Sequence, residues 1–172
     1  YKVFGPEMTR LDIPFVQNLD EKKAAFLIQM MERKMNCPLT SSTGRIFDAV
    51  SALLTICGTI SYDSQAAVAL EACAGLPQPD QTAYDFHIRP DSARASVPGQ
   101  ASCLVMDLAP CVRQMVGNIR DGVSKSLIAA RFQWTLSVMV AQAAHQVRQK
   151  TGLDRVVLSG GIALANNGGG QP

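Results

Sequence analysis

The sequence predicts an α/β fold in which helices dominate and the sheet is small. Several stretches carry apolar residues at helical spacing, whereas only a few short stretches resemble strands. The composition, 47% hydrophobic and 17% charged over 172 residues, provides for a sizeable core. No internal repeat or low-complexity linker divides the chain, so we expect a single domain across residues 1–172.

The first two predicted helices flank a Ser/Thr-rich loop. After a loop or edge segment over residues 1–19, Asp20 is an N-cap candidate for an amphipathic packing helix that runs to about Met35. The second helix begins at Ser42 or Thr43 and ends at Gly58. Beside its apolar face it carries a stripe of small and polar residues, which are Gly44, Asp48, Ser51 and Thr55.

Three further helices are predicted along the chain. One is capped by Asp63 or Ser64 and closed by Gly75, and another has Pro110 in its first turn. The longest covers about residues 123–152 and has two adjacent apolar stripes, so we expect it to be buried on most sides. The first stripe is Ile128, Phe132, Leu136, Met139, Ala143 and Val147, and the second is Leu127, Trp134, Val138 and Ala141.

Strand candidates are short. Residues 76–102 form an irregular or hairpin insertion, in which "AYDFHIR" alternates apolar and polar residues and "SCLVMDL" is its candidate partner. His87 falls on the polar side of the alternation, which favours a surface histidine over a ligand or base. Near the end, "RVVL" predicts a short buried strand that runs into glycines.

Charge and cysteine usage exclude several classes of protein. The net charge is only +2 without a basic block, so neither a nucleic acid nor a membrane surface is an expected partner. No apolar run is long enough for a membrane span, and the first residues lack a signal-peptide core. Five cysteines without a CxxC pair indicate reduced thiols in a cytoplasmic protein and no zinc site. The missing initiator Met indicates a fragment or a processed product.

Two short stretches suggest a nucleotide site. Ser159, Gly160 and Gly161 follow the last predicted strand, where glycines let backbone amides approach a phosphate. Gly44 permits close approach at a helix start, and Asp48 could accept both hydroxyls of a ribose. Each interpretation has a structural alternative. The glycine turn after the strand could bind nothing, and Asp48 could be an ordinary solvated aspartate on a helix.

Several motifs together resemble a known family. "CPLTSSTGRIFDAVSALL", "ISYDSQAAVALE" and "GLDRVVLSGG" resemble, in that order, the carbamoyltransferase domain of HypF-type hydrogenase maturation proteins. "MDLAPCVRQMVGNIRDGVSKSLIAARF" resembles a helix pair of the same domain, so the resemblance covers nearly the whole chain. That domain is similar to the universal tRNA threonylcarbamoyladenosine transferases. The resemblance implies the second lobe of an actin-like ATPase (ribonuclease H-like) fold, helix-rich with a small mixed sheet and incomplete relative to the family.

The resemblance also implies a function. In the family, a carbamoyl group passes from carbamoyl phosphate, via carbamoyl adenylate, to the C-terminal cysteine of HypE during maturation of nickel–iron hydrogenase. By position, Gly44 and Asp48 match the family's ribose motif. Ser159, Gly160 and Gly161 match its phosphate-side turn. The implied cofactor is ATP or carbamoyl adenylate, and the implied partner is a HypE-like acceptor.

The sequence departs from the family in its metal site. It lacks the His-rich motif of the family's first lobe, and Asn167 stands where the family has a metal-binding Asp. An amide is a poorer ligand for a hard cation than a carboxylate, so no bound metal is expected. We therefore expect a truncated homologue that is inactive by itself. The alternative is a non-catalytic module that binds nucleotide weakly or forms a homo-oligomer.

Overall fold

A computed structural model gives the fold, and the structure describes residues 1–38, 40–75, 82–91 and 103–157. The chain begins with a 3-10 helix over Gly5–Arg10. The α-helices are α1 (Pro14–Gln17), α2 (Glu21–Glu32), α3 (Thr43–Leu53), α4 (Gln65–Ala74), α5 (Ala109–Arg120) and α6 (Lys125–Thr151). Two strands, β1 (His87–Pro90) and β2 (Leu104–Asp107), lie between α4 and α5. The prediction of a helix-rich chain with a small sheet is confirmed.

Most helix ends fall where the cap residues predict them. The Asp20 side chain accepts a hydrogen bond from the Lys23 amide at 3.0 Å, which fixes the start of α2. Gly75 and Gly152 follow α4 and α6 with positive φ, as C-terminal glycines commonly do. The prediction that α3 extends to Gly58 is wrong. This helix ends at Leu53, and Thr55 takes the left-handed conformation (φ 51°) that stops it.

The core lies where α3, α4, α5 and α6 meet. The alanine-rich α4 contacts both α3 and α6, because small side chains let helices approach closely. Phe47 of α3 meets Phe132 of α6 edge to face, with ring centroids 5.4 Å apart. The most deeply buried side chains of this core are Leu70, Tyr84, Cys111, Met115, Ile128, Ala129 and Phe132.

The long helix α6 is buried on one side only. Its first predicted stripe is buried from Ile128 to Ala143. The prediction that α6 is buried on most sides is wrong, because Leu127 and Trp134 of the second stripe are exposed. The core helices cover a single face of α6. In the described part of the chain, no helix combines the length and the apolar content that crossing a membrane requires.

The helix α2 has the predicted apolar face, but the expectation that this face packs inside the molecule is wrong. None of its residues is buried, and Phe26 and Leu27 are 62% and 56% exposed. Met31 and Met35 continue the exposed stripe. The physical reason is sparse contact, since no other described element lies extensively against α2.

The hairpin confirms the predicted pairing of its two strands. β1 and β2 are antiparallel, with His87 opposite Asp107. Phe86 and Ile88 pack against the core, whereas His87 is exposed, as the alternation predicts. Much of residues 76–102 lies outside the described residues, so the description of that stretch as an insertion stays a prediction.

The two ends of the chain differ from expectation. Residues 1–19 contain the 3-10 helix and α1 rather than only a loop or edge. The described residues after α6, 152–157, form no strand, and Val157 is 90% exposed. The predicted buried strand is therefore wrong over Val156 and Val157. Among the described residues no strand lies beside this segment, so its backbone groups are left to water.

Candidate functional site

The first turns of α3 place Gly44 and Asp48 on one side of the helix. Ser42 takes the N-cap position with extended backbone, and the helix begins at Thr43. Gly44 and Asp48 are four residues apart, so they lie about one turn apart on the same face. Both are half-buried, whereas Phe47 is buried in the core. The structure therefore brings this predicted pair together on a partly accessible face.

Gly44 has space beside it. A Cβ added at Gly44 would meet Ser42 Oγ at 3.6 Å, an ordinary contact distance. The φ angle of Gly44 is not in the left-handed region, so the backbone does not require glycine either. Glycine inside a helix costs roughly 1 kcal/mol relative to alanine. Neither the backbone nor a clash with the described residues explains the glycine at this position.

The Asp48 carboxylate has a single partner among the described residues. Arg45 Nη1 donates to Asp48 Oδ2 at 3.2 Å, within the first two turns of α3. The Asp48 side chain is 28% exposed, whereas that of Arg45 is 68% exposed. A carboxylate accepts hydrogen bonds on both oxygens. Among the described residues no donor contacts Oδ1, so this oxygen can accept from solvent or a ligand.

Contacts with α6 fix the position of α3. The Phe47 ring contacts Phe132 in the core. At the other end, Lys125 Nζ donates to the Thr55 carbonyl at 3.2 Å and to the Thr55 hydroxyl at 2.6 Å. A cation beside the C-terminal end of a helix also interacts favourably with the helix dipole. Asp48 therefore projects from a helix that is anchored at two points.

Ser51 divides the polar stripe that the sequence predicts along α3. Its side chain is completely buried, and its hydroxyl has no hydrogen-bond partner in the part of the chain that the structure describes. A buried hydroxyl without a partner is costly. The accessible part of the stripe therefore consists of Gly44 and Asp48, while Ser51 belongs to the core.

A polar cluster around Tyr84 ties the segment before β1 to α6. The Tyr84 amide donates to Thr135 Oγ1 at 2.8 Å, and that hydroxyl donates to the Arg131 carbonyl at 2.7 Å. Asn118 Nδ2 donates to the Tyr84 hydroxyl at 2.9 Å. The Arg131 guanidinium lies 4.3 Å from the Tyr84 ring centroid, and its Nε donates to the Thr82 carbonyl. The sequence analysis missed this cluster, and its only signal was Tyr84 on the apolar side of the alternation.

Burial raises the pKa of two groups here, the Tyr84 hydroxyl of the cluster and the neighbouring Cys111 thiol. Burial raises the pKa of Tyr84, although the Asn118 hydrogen bond and the charge of Arg131 oppose the shift. Burial raises the pKa of Cys111 to about 12. A thiol nucleophile must ionise, so Cys111 is not an activated nucleophile. All five cysteines are unpaired in the structure.

The remaining predicted site residues lie in the last part of the chain, which the structure does not describe. Ser159, Gly160, Gly161 and Asn167 lie outside the described residues, so their approach to Asp48 stays a prediction. Among the residues that the structure describes, no group of three or more His, Cys, Asp or Glu side chains is arranged to hold a metal ion. The described residues therefore do not fit a metal centre.

Two open depressions lie away from α3. The larger, about 1110 Å³, runs between α2 and the segment from the 3-10 helix through α1. The smaller, about 400 Å³, is lined by Asp12, Gly117, Arg120 and Asp121. Neither depression is lined by Gly44 or Asp48.

Comparisons with known proteins identify relatives of the chain. Residues 3–167 match the family described as "Carbamoyltransferase, Kae1-like Domain, second subdomain". The chain is 26% identical over 166 residues to a probable carbamoyltransferase HypF of Methanocaldococcus jannaschii, an alignment that covers 95% of this chain and 19% of the relative. It is 26% identical over 145 residues to a carbamoyltransferase HypF of Synechocystis, with 84% of this chain and 16% of the relative covered.

A solved structure shares the fold. It is described as full-length HypF in the phosphate- and nucleotide-bound form, and it matches with a TM-score of 0.79 and 28% identity. The match covers 95% of this chain and 24% of the solved chain. The chain thus spans roughly a fifth of the length of these relatives. The structural likeness confirms the predicted fold class.

Proposed function

The chain belongs to the carbamoyltransferase family as the second subdomain of the Kae1-like domain, and from that premise we propose that it holds the nucleotide in a HypF-type carbamoyltransferase. The observation that supports this proposal most is the Gly44–Asp48 face. It is partly accessible, it lies on an anchored helix, and the described residues give no structural cause for its glycine. The relative solved with phosphate and nucleotide, at a TM-score of 0.79, adds support.

Each proposed site residue has a role that its chemistry suits. The Asp48 carboxylate accepts hydrogen bonds from the ribose hydroxyls. Gly44 lets the ligand approach the first turn of α3, where backbone N–H groups have no intrahelical partner. Ser159, Gly160 and Gly161 offer backbone amides to the phosphates. The proposed ligand is ATP or carbamoyl adenylate.

The proposed reaction is carbamoyl transfer in hydrogenase maturation. Hydrolysis of carbamoyl phosphate releases phosphate and gives carbamate, whose oxygen attacks the α-phosphorus of ATP. Pyrophosphate leaves, and the carbamoyl group is carried as carbamoyl adenylate. The C-terminal cysteine thiolate of a HypE-like acceptor attacks the carbamoyl carbon, a C–S bond forms, and AMP leaves with the electrons of the broken C–O bond. Cys111 is buried and its thiol stays protonated, so it is not suited to accept the carbamoyl group. This agrees with an acceptor thiol that lies on a partner protein. No step is assigned to a metal, since the described residues do not fit one.

Calorimetry with ATP tests the role of Asp48. We expect the wild-type chain to bind ATP and Asp48→Ala to bind at least about tenfold more weakly, because hydrogen bonds to a charged group contribute about 1.5–3 kcal/mol. The matched control is Asp63→Ala, which removes another aspartate in an exposed position. Equal binding by wild type and Asp48→Ala would contradict the proposal.

A second candidate function is an interaction module that associates with itself. The observation that favours it is the apolar face of α2, where Phe26 and Leu27 are exposed beside Met31 and Met35. Sedimentation velocity at several concentrations tests it. We expect concentration-dependent association that Leu27→Ser weakens. A strictly monomeric chain at every concentration would contradict this candidate.

A further inference from the structure

The exposed apolar face of α2 carries opposite charges at its two ends. Asp20 lies at the start of the helix, Lys34 lies just after its end, and Leu27 is midway between them. We propose that α2 pairs with α2 of a second copy of the chain in an antiparallel arrangement around Leu27, in which Asp20 meets the partner's Lys34. The inference rests on the second candidate function, self-association, because it gives that association a definite geometry.

The centre of this face is apolar. Leu27 is 56% exposed, and Phe26 and Met31 beside it are 62% and 39% exposed. Asp20 precedes Leu27 by seven residues, which is about two helical turns, so both lie on the same side of α2. A second helix that covers Leu27 therefore also passes over Asp20.

Backbone hydrogen bonds fix both ends of the face. Asp20 caps the helix through Oδ1, which accepts from the Lys23 amide at 3.0 Å. After the helix, the amides of Lys34 and Met35 donate to carbonyls of the last turn at 3.2 and 2.9 Å. Lys34 takes the left-handed conformation that commonly closes a helix, with φ 53°. The backbone therefore holds the two charged residues about 20 Å apart along α2.

Neither of these charges has an ion-pair partner within the part of the chain that the structure describes. The ion pairs there are those of Arg10, Arg45 and Arg89. Asp20 and Lys34 are both exposed, and they are too far apart to pair with each other within one copy. A second copy can satisfy both charges, because it offers the opposite charge at each end of the same face.

The charges select the orientation of the second copy. A parallel arrangement would place like charges opposite each other at Asp20, Lys23 and Lys34. The antiparallel arrangement instead pairs Asp20 with the partner's Lys34, and two-fold symmetry makes this pair twice. Lys23 then lies opposite the partner's Met31, where its aliphatic stem covers apolar surface while its ammonium stays in water.

Sedimentation equilibrium of the full chain at low ionic strength tests the pairing through a double-mutant cycle. Asp20→Asn removes the charge but keeps a good N-cap residue, and we expect it to weaken the dimer about threefold. Lys34→Glu turns two attractions into two repulsions, and we expect about tenfold weakening. In the Lys34→Glu background, Asp20→Asn should instead strengthen the dimer about threefold, because it relieves the repulsion.

The matched control is Lys22→Glu, which makes the same change of charge on the same helix. Lys22 is exposed and lies about 140° around α2 from Leu27, away from the face. We expect it to change the dissociation constant of the dimer by less than about twofold. The effect of Lys34→Glu should shrink as salt is added, because the paired charges are exposed.

The outcomes separate the arrangement from self-association. If the chain associates but Asp20→Asn has the same effect in both backgrounds, the antiparallel pairing is overturned and self-association stands. A loss in Lys22→Glu as large as in Lys34→Glu also overturns the pairing. If the chain stays monomeric at every concentration, self-association and the arrangement fail together. None of these results bears on ATP binding at α3, which calorimetry tests separately.

Discussion

The helices α2 and α6 have similar apolar stripes in sequence but opposite environments in the structure. In α6 the stripe from Ile128 to Met139 is buried against α3, α4 and α5. In α2, Phe26 and Leu27 are exposed, and no residue of the helix is buried. Periodicity therefore predicts a helix and its apolar face, whereas burial depends on which elements lie over that face.

The same comparison bears on stability. A helix of 12 residues is marginal in water without tertiary packing, and α2 has little of it within the chain. Its start is fixed by the Asp20 cap, and the Tyr1 hydroxyl donates to Glu32 near its end. We infer that α3 to α6 carry most of the folding free energy and that α2 contributes little to it.

The largest expected effect comes from replacing a core aromatic residue. Phe132→Ala removes a fully buried ring and its contact with Phe47, so the free energy of unfolding should fall by about 3–5 kcal/mol. The matched control is Phe26→Ala in α2, for which we expect a change within about 0.5 kcal/mol. Urea unfolding monitored by circular dichroism measures both. Equal losses in the two variants would contradict the comparison.

The next effect comes from the polar cluster around Tyr84. Thr135→Val keeps the shape of the side chain but leaves the buried Tyr84 amide without its acceptor, so the free energy of unfolding should fall by about 1–3 kcal/mol. Ser51→Ala is the control for a buried hydroxyl that has no partner in the described residues. It should be neutral or stabilising in the same urea experiment. A loss in Ser51→Ala as large as in Thr135→Val would show that hydrogen bonding is not the cause.

The pH dependence of stability reports on the packing of Cys111. Its pKa is raised from 9.0 to about 12 in the folded chain, so the unfolded chain loses the thiol proton first as pH rises. Stability should therefore fall between pH 9 and pH 12, by up to about 1.4 kcal/mol per pH unit from this group. Urea unfolding from pH 8 to pH 11 measures the slope. Cys111→Ala should give a shallower slope, and identical slopes would contradict the burial of this thiol.

The smallest expected effect on stability lies in α2. Leu27→Ser replaces an exposed apolar side chain, so the monomer's free energy of unfolding should change by less than about 0.5 kcal/mol. Urea unfolding at low protein concentration measures it. A loss of several kcal/mol would mean that the face of α2 is covered within the chain and would break the comparison with α6.

Local signals predicted much of the fold. Asp20, Gly75 and Gly152 act on neighbouring residues, and they mark helix ends where the sequence predicts them. Long-range contacts left no such signal. The amide of Tyr84 meets the hydroxyl of Thr135, 51 positions along the chain, and neither residue type by itself predicts the other.

The local part of the candidate site was predictable from the sequence, whereas the part that depends on packing was not. Gly44 and Asp48 share a face because they lie four residues apart in one helix, and this follows from the sequence. The pairing of Asp48 with Arg45, three residues away, was also within reach of helical spacing. The burial of Ser51 depends on how closely the neighbouring helices approach, so the sequence could not show it.

Hydrogen exchange with and without ATP tests whether the face of α3 that carries Gly44 and Asp48 is the ligand site. The first amides of α3 have no intrahelical acceptor, so they exchange readily unless a ligand covers them. We predict that ATP slows exchange over residues 43–48 and leaves α2 unchanged, and that Asp48→Ala removes the slowing. Unchanged exchange over residues 43–48 at saturating ATP, or equal slowing in α2, would contradict the claim.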